Sequence, residues 1–477
     1  MEIGLSYDDV LLKPRYSPIL SRKDVDLRSY LTKGIRLNIP IVASNMDTVC
    51  EADMAIAMAL NGGMGIVHRF LTIEQQVEEV LKTKRYQSIK IESPYVVYQQ
   101  QTLKEIKEVI SQTGVTGFLV ADHMDKLVGI LSKRDMQFED DDNKRVSELM
   151  TPREKLITAS FSITVDEAKT LLKKHKIEKL PLINEDNKVM GLITSKDIIK
   201  KLKFPSASKD GKGRLLVGAA IGVKQDRVQR AIALAKAGVD VLVIDIAHGH
   251  SFMVLDTISE IRQYLGNVQL IAGNVATKEG ALALIQAGAD AVKVGVGPGS
   301  ICTTRIVAGS GVPQITSIME AAKVAKEHNV PVIADGGIKG SGDIVKALAA
   351  GSSTVMLGNL LAGTDESPGV VITKDGKRFK VYRGMAGFGA TSARMQKEAG
   401  NALIDSQLND TVPEGVESVI PYRGSVQEVL HKLIGGLRSG MSYGGAKNIS
   451  ELQEKSEFIR ITQAGMRESQ SHDVLKL

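Results

Sequence analysis

The tightest constraint on this chain is a recurrence. Eight short β-branched runs end in small or polar residues: "IPIVASNM" from Ile39, "GGMGIVH" from Gly62, "RLLVGAAI" from Arg214, "VDVLVIDIAHG" from Val239, "VQLIAGNVA" from Val268, "AVKVGVGPG" from Ala291, "VPVIADGG" from Val330 and "STVMLGN" from Ser353. Most are near-continuously apolar, the pattern of parallel strands buried on both faces. Helical patterns such as "DRVQRAIALAKAG" and "KEGALALIQAG" lie between them, each closed by a helix-ending glycine. Eight strand–helix units predict a closed (β/α)8 barrel. Chemistry in such a barrel sits on the loops after the strand C-termini. The residues just after the eight runs are therefore the candidates.

One connection, from about Leu71 to Pro205, is far too long for a barrel loop. It is a repeat. "DHMDKLVGILSKRDMQ" and "NEDNKVMGLITSKDIIK" share a pattern in which Asp135 and Asp197 stand 62 residues apart. Each half reads as a helix, a strand, an acidic turn, a second strand, and Ser/Thr-x-x-Asp opening another helix. Ser132 and Thr194 read as N-caps. The two aspartates, one turn into a helix, can also accept from ribose hydroxyls. The repeat resembles a pair of cystathionine-β-synthase (CBS) domains, a tandem (Bateman) module that often binds purine nucleotides. The expected division is 1–88 barrel, 89–205 regulatory insertion and 206–477 barrel. A second extension, about Thr364 to Ser425, contains the hairpin "GVVITKDGKRFKVYRGM" with an Asp-Gly turn. The polar, glycine-rich stretch after it predicts a mobile flap over about 386–424.

Composition narrows the function classes. Net charge is only +6, spread over 477 residues, which permits anionic ligands but does not indicate nucleic acid. No apolar run reaches membrane-spanning length. The N-terminal "MEIGLSYDDVLLK" lacks an apolar core of signal-peptide length, so the expected compartment is the cytoplasm. Two cysteines make no disulfide framework.

A free cysteine is ordinarily a small buried hydrophobe, and Cys50 is read so. Cys302 differs. It follows the sixth run in "KVGVGPGSICTTR", on the catalytic face, where glycines clear space for the backbone. Backbone N–H groups and nearby cations there can activate a thiol toward an electron-poor carbon such as purine C2. Thr303 and Thr304 can relay protons beside it. "IADGGIKGSGD" and "VMLGNLLAG" end the seventh and eighth runs, where barrel backbones commonly hold phosphate. Gly337 and Gly358 are the expected contacts. Asp335 is either a ribose acceptor or a turn aspartate. Thiol, ribose acceptor and phosphate cradle together describe a nucleoside monophosphate site.

"GVGPGSICTTR", "IADGGI", "YRGM" and "MDTV", with the CBS-like insertion, resemble the IMP dehydrogenase/GMP reductase family along essentially the whole chain. The resemblance implies that Cys302 bonds to purine C2 and that a nicotinamide cofactor exchanges hydride with that carbon. It implies substrate contacts from Ser44, Met46, Ser300, Asp335, Gly337, Gly358 and Tyr382, with Met385, Gly387 and Glu414 at the base. Asp245 and Asn274 would lie along the cofactor. Carbonyls of Gly295, Gly297 and Cys302 would bind a monovalent cation such as K+, completed by Glu468 of a neighbouring subunit. Asp135 and Asp197 would hold regulatory purine nucleotides. The family forms homotetramers, which paired CBS modules can join into octamers.

The family runs two reactions. A dehydrogenase oxidises IMP with NAD and hydrolyses the adduct, using an Arg-Tyr pair on the flap. A reductase expels ammonia from GMP and adds hydride from NADPH. Between Met385 and Glu414 this chain has one arginine, Arg394, followed by Met395, and no tyrosine. Its "YR", Tyr422–Arg423, is reversed and follows Glu414. Asn45 before Met46 is similar to reductases, and "SYGGAKNI" at Ser442 leans the same way. The CBS module and the "GMRESQSHDV" tail are similar to dehydrogenases. The preferred reading is GMP reductase, with Thr304 and Glu414 protonating the departing amine. The alternatives are IMP dehydrogenase, with Arg394 replacing the missing pair, and an inactive nucleotide sensor on a barrel scaffold. The alternative to a catalytic Glu414 is a turn residue after Pro413.

Overall fold

A computed structural model describes residues 2–86, 91, 94–387 and 413–471. The chain divides into two compact units, one of 1–86, 206–210 and 215–477, the other of 87–205 and 211–214.

All eight runs are strands of the first unit: β1 Ile41–Ala43, β2 Met64–Val67, β3 Gly218–Ile221, β4 Val241–Asp245, β5 Gln269–Val275, β6 Ala291–Val294, β7 Val332–Asp335 and β8 Thr354–Leu357. Each pairs in parallel with the next, and β8 pairs with β1, so the sheet closes into a barrel. Side chains alternate across each strand. Val42, Ile66, Ala220, Val243, Ile271, Ala291, Ile333 and Met356 fill the barrel interior. Ile41, Val67, Ile221, Leu242, Leu270, Val292 and Val355 face the surrounding helices. Both faces are buried, which is why the runs are apolar without alternation. The helices end as their sequence predicts: Gly288 after Lys278–Ala287 takes φ +109° and Gly238 after Arg227–Lys236 takes φ +87°.

The alternation has a consequence at the barrel mouth. Ala291 points in and Val292 out, so Lys293 points in. Val241 and Val243 point in, so Asp245 does too, and Asp335 follows Ile333 likewise. The last inward layer is therefore charged.

The second unit is the expected repeat. Its first half runs Val96–Tyr98, Leu103–Thr113, Phe118–Ala121, Leu127–Leu131 and Lys133–Met136. Its second runs Ala159–Ser160, Val165–His175, Lys179–Ile183, Val189–Thr194 and Ser195–Lys203. In each half the first strand pairs parallel with the second and the second antiparallel with the third. Thr102 and Thr164 cap the first helices through matching boxes with Glu105 and Glu167.

The hairpin strands are Val371–Lys374 and Lys377–Arg383, and Asp375 (φ +51°) and Gly376 (φ +71°) make the turn. A third strand, Glu417–Pro421, joins antiparallel to the second. The C-terminal end of the expected flap is thus sheet, whereas 388–412, with Arg394, lie outside the described residues. Among the described residues, no helix is long and apolar enough to cross a membrane.

Candidate active site

A cavity of about 810 Å³ opens over the C-terminal ends of the strands. Its floor is the charged layer. Lys293 is 1% exposed. Its ammonium donates to Asp245 Oδ1 at 2.6 Å, to Asp335 Oδ2 at 2.7 Å and to Asn274 Oδ1. Burial opposes that charge, but the two carboxylates outweigh it and push the lysine pKa up. Burial likewise opposes ionisation of Asp245, but Lys293 and Asn45 hold its carboxyl below the ordinary range. Asn45 Nδ2 donates to Asp245 Oδ2 at 2.8 Å. Sequence reasoning passed over Lys293. The available signal was a lone charge inside a strand that is otherwise apolar on both faces.

Asn274 lines the cavity, yet both its amide hydrogens are committed, to Gly295 O at 2.8 Å and Asp335 Oδ2 at 2.9 Å. Its place is that of a brace orienting Asp335, with no donor left for a ligand. The loop after β6 carries Cys302. Gly295 opens it at φ +149°, where an added Cβ would stand 2.0 Å from Asp335 O. No other residue fits there. Cys302 Sγ lies 3.1 Å from Thr304 Oγ1, which donates to Glu414 Oε2 at 2.7 Å. Glu414 comes from 110 residues further along the chain. Three backbone bonds fix it: Thr303 N–H donates to Glu414 O, Glu414 N–H to Ala386 O, and Val416 N–H to Ile301 O. The three-stranded sheet thus carries the carboxylate to the thiol.

The side expected to hold phosphate is equally close-set. At Gly358 a Cβ would meet Tyr382 Oη at 3.0 Å and Met46 Sδ at 3.1 Å, with Ser44 Cβ at 3.9 Å. Gly337 (φ +81°) and Ser300 line the same cavity. Burial pushes the Tyr382 phenol up to about 12, so it stays a neutral donor, and Ser300 bonds to it. Met385 lines the cavity as expected, and its sulfur accepts from Asp47 N–H at 3.4 Å. The Asp47–Arg383 ion pair at 2.5 Å ties that loop to the one after β1.

One expected residue stands elsewhere. Gly387 is absent from the cavity wall; it bridges to Gly415 and shapes the loop that carries Glu414. Glu468, expected to act from a neighbouring copy, is exposed at the end of the helix Gln463–Glu468. Among the described residues, no group of three His, Cys, Asp or Glu side chains is placed to hold a metal ion. Cys50 is fully buried, and burial pushes its thiol pKa up, as befits packing. In the second unit, Asp135 Oδ2 accepts from Ser132 N–H (2.7 Å) and Oγ–H (2.6 Å), a capping box. Asp197 lies in the helix Ser195–Lys203. Asn359 and Arg423 also line the cavity and were not among the expected site residues.

Comparison with known proteins agrees with this geometry. The family model described as IMP dehydrogenase / GMP reductase domain matches residues 4–472. The chain is 55% identical to inosine-5'-monophosphate dehydrogenase of Aquifex aeolicus, over 99% of this chain and 96% of that one. It is 49% identical to GMP reductase of Leishmania donovani, over 99% and 98%. A crystal structure of a Cys-to-Ala variant of GMP reductase from Trypanosoma brucei, in complex with guanosine 5'-monophosphate, superposes with a TM-score of 0.94 at 46% identity, covering 100% and 99% of the two chains. This chain belongs to the IMP dehydrogenase/GMP reductase family of oxidoreductases.

Proposed function

We propose that this chain is a GMP reductase, converting GMP and NADPH to IMP, ammonia and NADP in purine interconversion. The observation that carries the reading is the shared hydroxyl: Thr304 Oγ1 touches both the Cys302 thiol and the Glu414 carboxyl. The Cys302 thiolate adds to purine C2. Glu414, through Thr304, delivers a proton to the exocyclic amine, the C2–N bond breaks, and ammonia leaves. The purine remains joined to Cys302 through a C2–S bond. The nicotinamide dinucleotide, when bound, supplies the hydride that reduces C2. The C2–S bond then breaks and its electron pair returns to Cys302 as thiolate. Asp245, Ile246 and Ala247, at the end of β4, line the part of the cavity where such a partner would lie. The Asp245 oxygens keep lone pairs that can accept from a carboxamide.

Asp335, oriented by hydrogen bonds from Lys293 and Asn274, is the ribose acceptor. Ser44, Met46, Ser300, Gly337, Gly358 and Tyr382 seat phosphate and ribose, and Met385 meets the base. Carbonyls of Gly295, Gly297 and Cys302, with Glu468 of a neighbouring copy, would bind a monovalent cation such as K+. The second unit acts as a CBS pair taking purine nucleotides near Asp135 and Asp197, within a homotetramer or octamer. The reductase gains by excluding water, and the stretch between Met385 and Glu414 lacks an Arg-Tyr pair to activate it.

The 55% identity to a dehydrogenase favours a second reading, IMP oxidised with NAD. One assay separates them. With GMP and NADPH, the reduced-nicotinamide absorbance falls for a reductase. With IMP and NAD it rises for a dehydrogenase. Turnover of neither pair defeats both readings.

A further inference from the structure

The Tyr422–Arg423 pair follows the strand Glu417–Pro421, and its two side chains part company. Tyr422 stays with the sheet: its hydroxyl donates to Asp365, and the Arg378 guanidinium lies 3.9 Å from its ring centroid. Arg423 lines the cavity beside Gly358, Asn359 and Leu360, at the C-terminal end of β8. Its stem is seated. Arg423 N–H donates to Gly363 O at 2.8 Å, and a Cβ on Gly363 would press to 3.2 Å from Arg423 Cγ. Its head is barely engaged. Nη1 reaches Leu360 O and Nη2 reaches Asn359 Oδ1, both at 3.3 Å and both neutral acceptors. Burial lowers the guanidinium pKa, with no carboxylate set against it among the described residues. Three other cations line the cavity: Lys293 is neutralised by Asp245 and Asp335, Lys339 by Asp8, and Arg69 acts on the Asp245 carboxylate. A half-buried cation with only neutral partners is unfavourable until an anion completes it.

We infer that Arg423 is the cationic anchor for the 5'-phosphate of the substrate nucleotide. The other donors of that cradle, Ser300, Tyr382 and the backbone at Gly337 and Gly358, are neutral, so a phosphate dianion is otherwise left uncompensated. A guanidinium matches phosphate oxygens with paired N–H donors. By donating to Asn359 Oδ1, Arg423 also leaves the Asn359 amide hydrogens for the same anion. The inference rests on the nucleotide reading above but concerns the phosphate alone, whichever purine is turned over.

The test compares wild type, Arg423→Gln and Arg423→Lys in calorimetric binding of GMP, guanosine and ribose 5-phosphate. Arg423→Gln is expected to weaken GMP and ribose 5-phosphate by about 10- to 100-fold, with guanosine unchanged. Arg423→Lys keeps stem and charge but loses the fork, so a loss of about three- to tenfold is expected for the phosphorylated ligands alone. It carries the test if Gln fails to fold. Phosphorylated ligands bound within about twofold of wild type by either folded variant overturn the inference, as does equal weakening of GMP and guanosine. If wild type binds ribose 5-phosphate but neither purine nucleotide is turned over, the reaction reading fails while the Arg423 comparison still decides its own question.

Discussion

Lys293→Met tests how the barrel mouth is held together. Lys293 is 1% exposed and bonds to Asp245, Asp335 and Asn274 at once. Methionine keeps the length of the stem and deletes the charge. What remains is a pair of carboxylates over an apolar layer, with no cation between them. Breaking a buried ion pair costs about 3–5 kcal/mol. The Asp245 and Asp335 side chains are 24% and 20% exposed to the cavity, so water relieves part of the penalty. The expected loss is about 3 kcal/mol, the low end of that range. Its pH dependence has a definite sign. In wild type the Asp245 pKa is lowered, so its contribution is present above about pH 4 and is lost as pH falls through the lowered value. The Lys293 pKa is raised, so its contribution is complete below about pH 10 and is lost only as pH rises through the raised value. Neither boundary falls between about pH 5 and 9. In Lys293→Met the carboxyl pKa values rise instead, folding takes up protons, and stability falls as pH rises. Urea unfolding at about pH 5.5 and 8 should therefore show the larger deficit at the higher pH, and the acid limb of turnover should move up. A deficit below about 1 kcal/mol at both pH values, or an unmoved limb, refutes the reasoning.

Cys302→Ala should lower turnover of either nucleotide by at least about 10³-fold while leaving nucleotide binding nearly intact; activity near wild type would remove the thiol from the chemistry. Glu414→Gln and Thr304→Val should each slow ammonia release by about 10²–10⁴-fold, read in single turnover, with nucleotide affinity changed far less. Equal loss of both would assign them to binding. Tyr382→Phe should weaken GMP about tenfold, and by the same factor from about pH 6 to 9, because the phenol titrates only near 12. A loss that varies with pH in that range would mean an ionising group. Asp135→Ala should destabilise the inserted unit by about 1 kcal/mol through its cap and abolish any response of turnover to purine nucleotides, with basal turnover unchanged. A response that survives would place the regulatory nucleotide elsewhere.

The sequence by itself determined the barrel. Eight apolar runs with polar ends can be satisfied only by strands buried on both faces, and the period of two fixes which residues point inward. It also marked Cys302, because a thiol after a glycine loop at a strand end has little use as packing. The Ser132–Asp135 capping box of the inserted repeat is legible for the same local reason, whereas those at Thr102 and Thr164 passed unread. What the tertiary structure decided are meetings between distant segments. Lys293 is one charge in an apolar run until closure brings Asp245 and Asp335 around it. Asn274 reads as a ligand-facing amide until its hydrogens are counted and found committed. Thr304 finds Glu414 across 110 residues only because the third sheet strand returns beside the hairpin. Arg423 faces the cavity at the end of β8 because Tyr422 before it belongs to the sheet. Local pattern dictates direction, since backbone sterics act between neighbours. Which inward groups share a proton or a charge depends on ring closure and strand register, and those are properties of the whole chain.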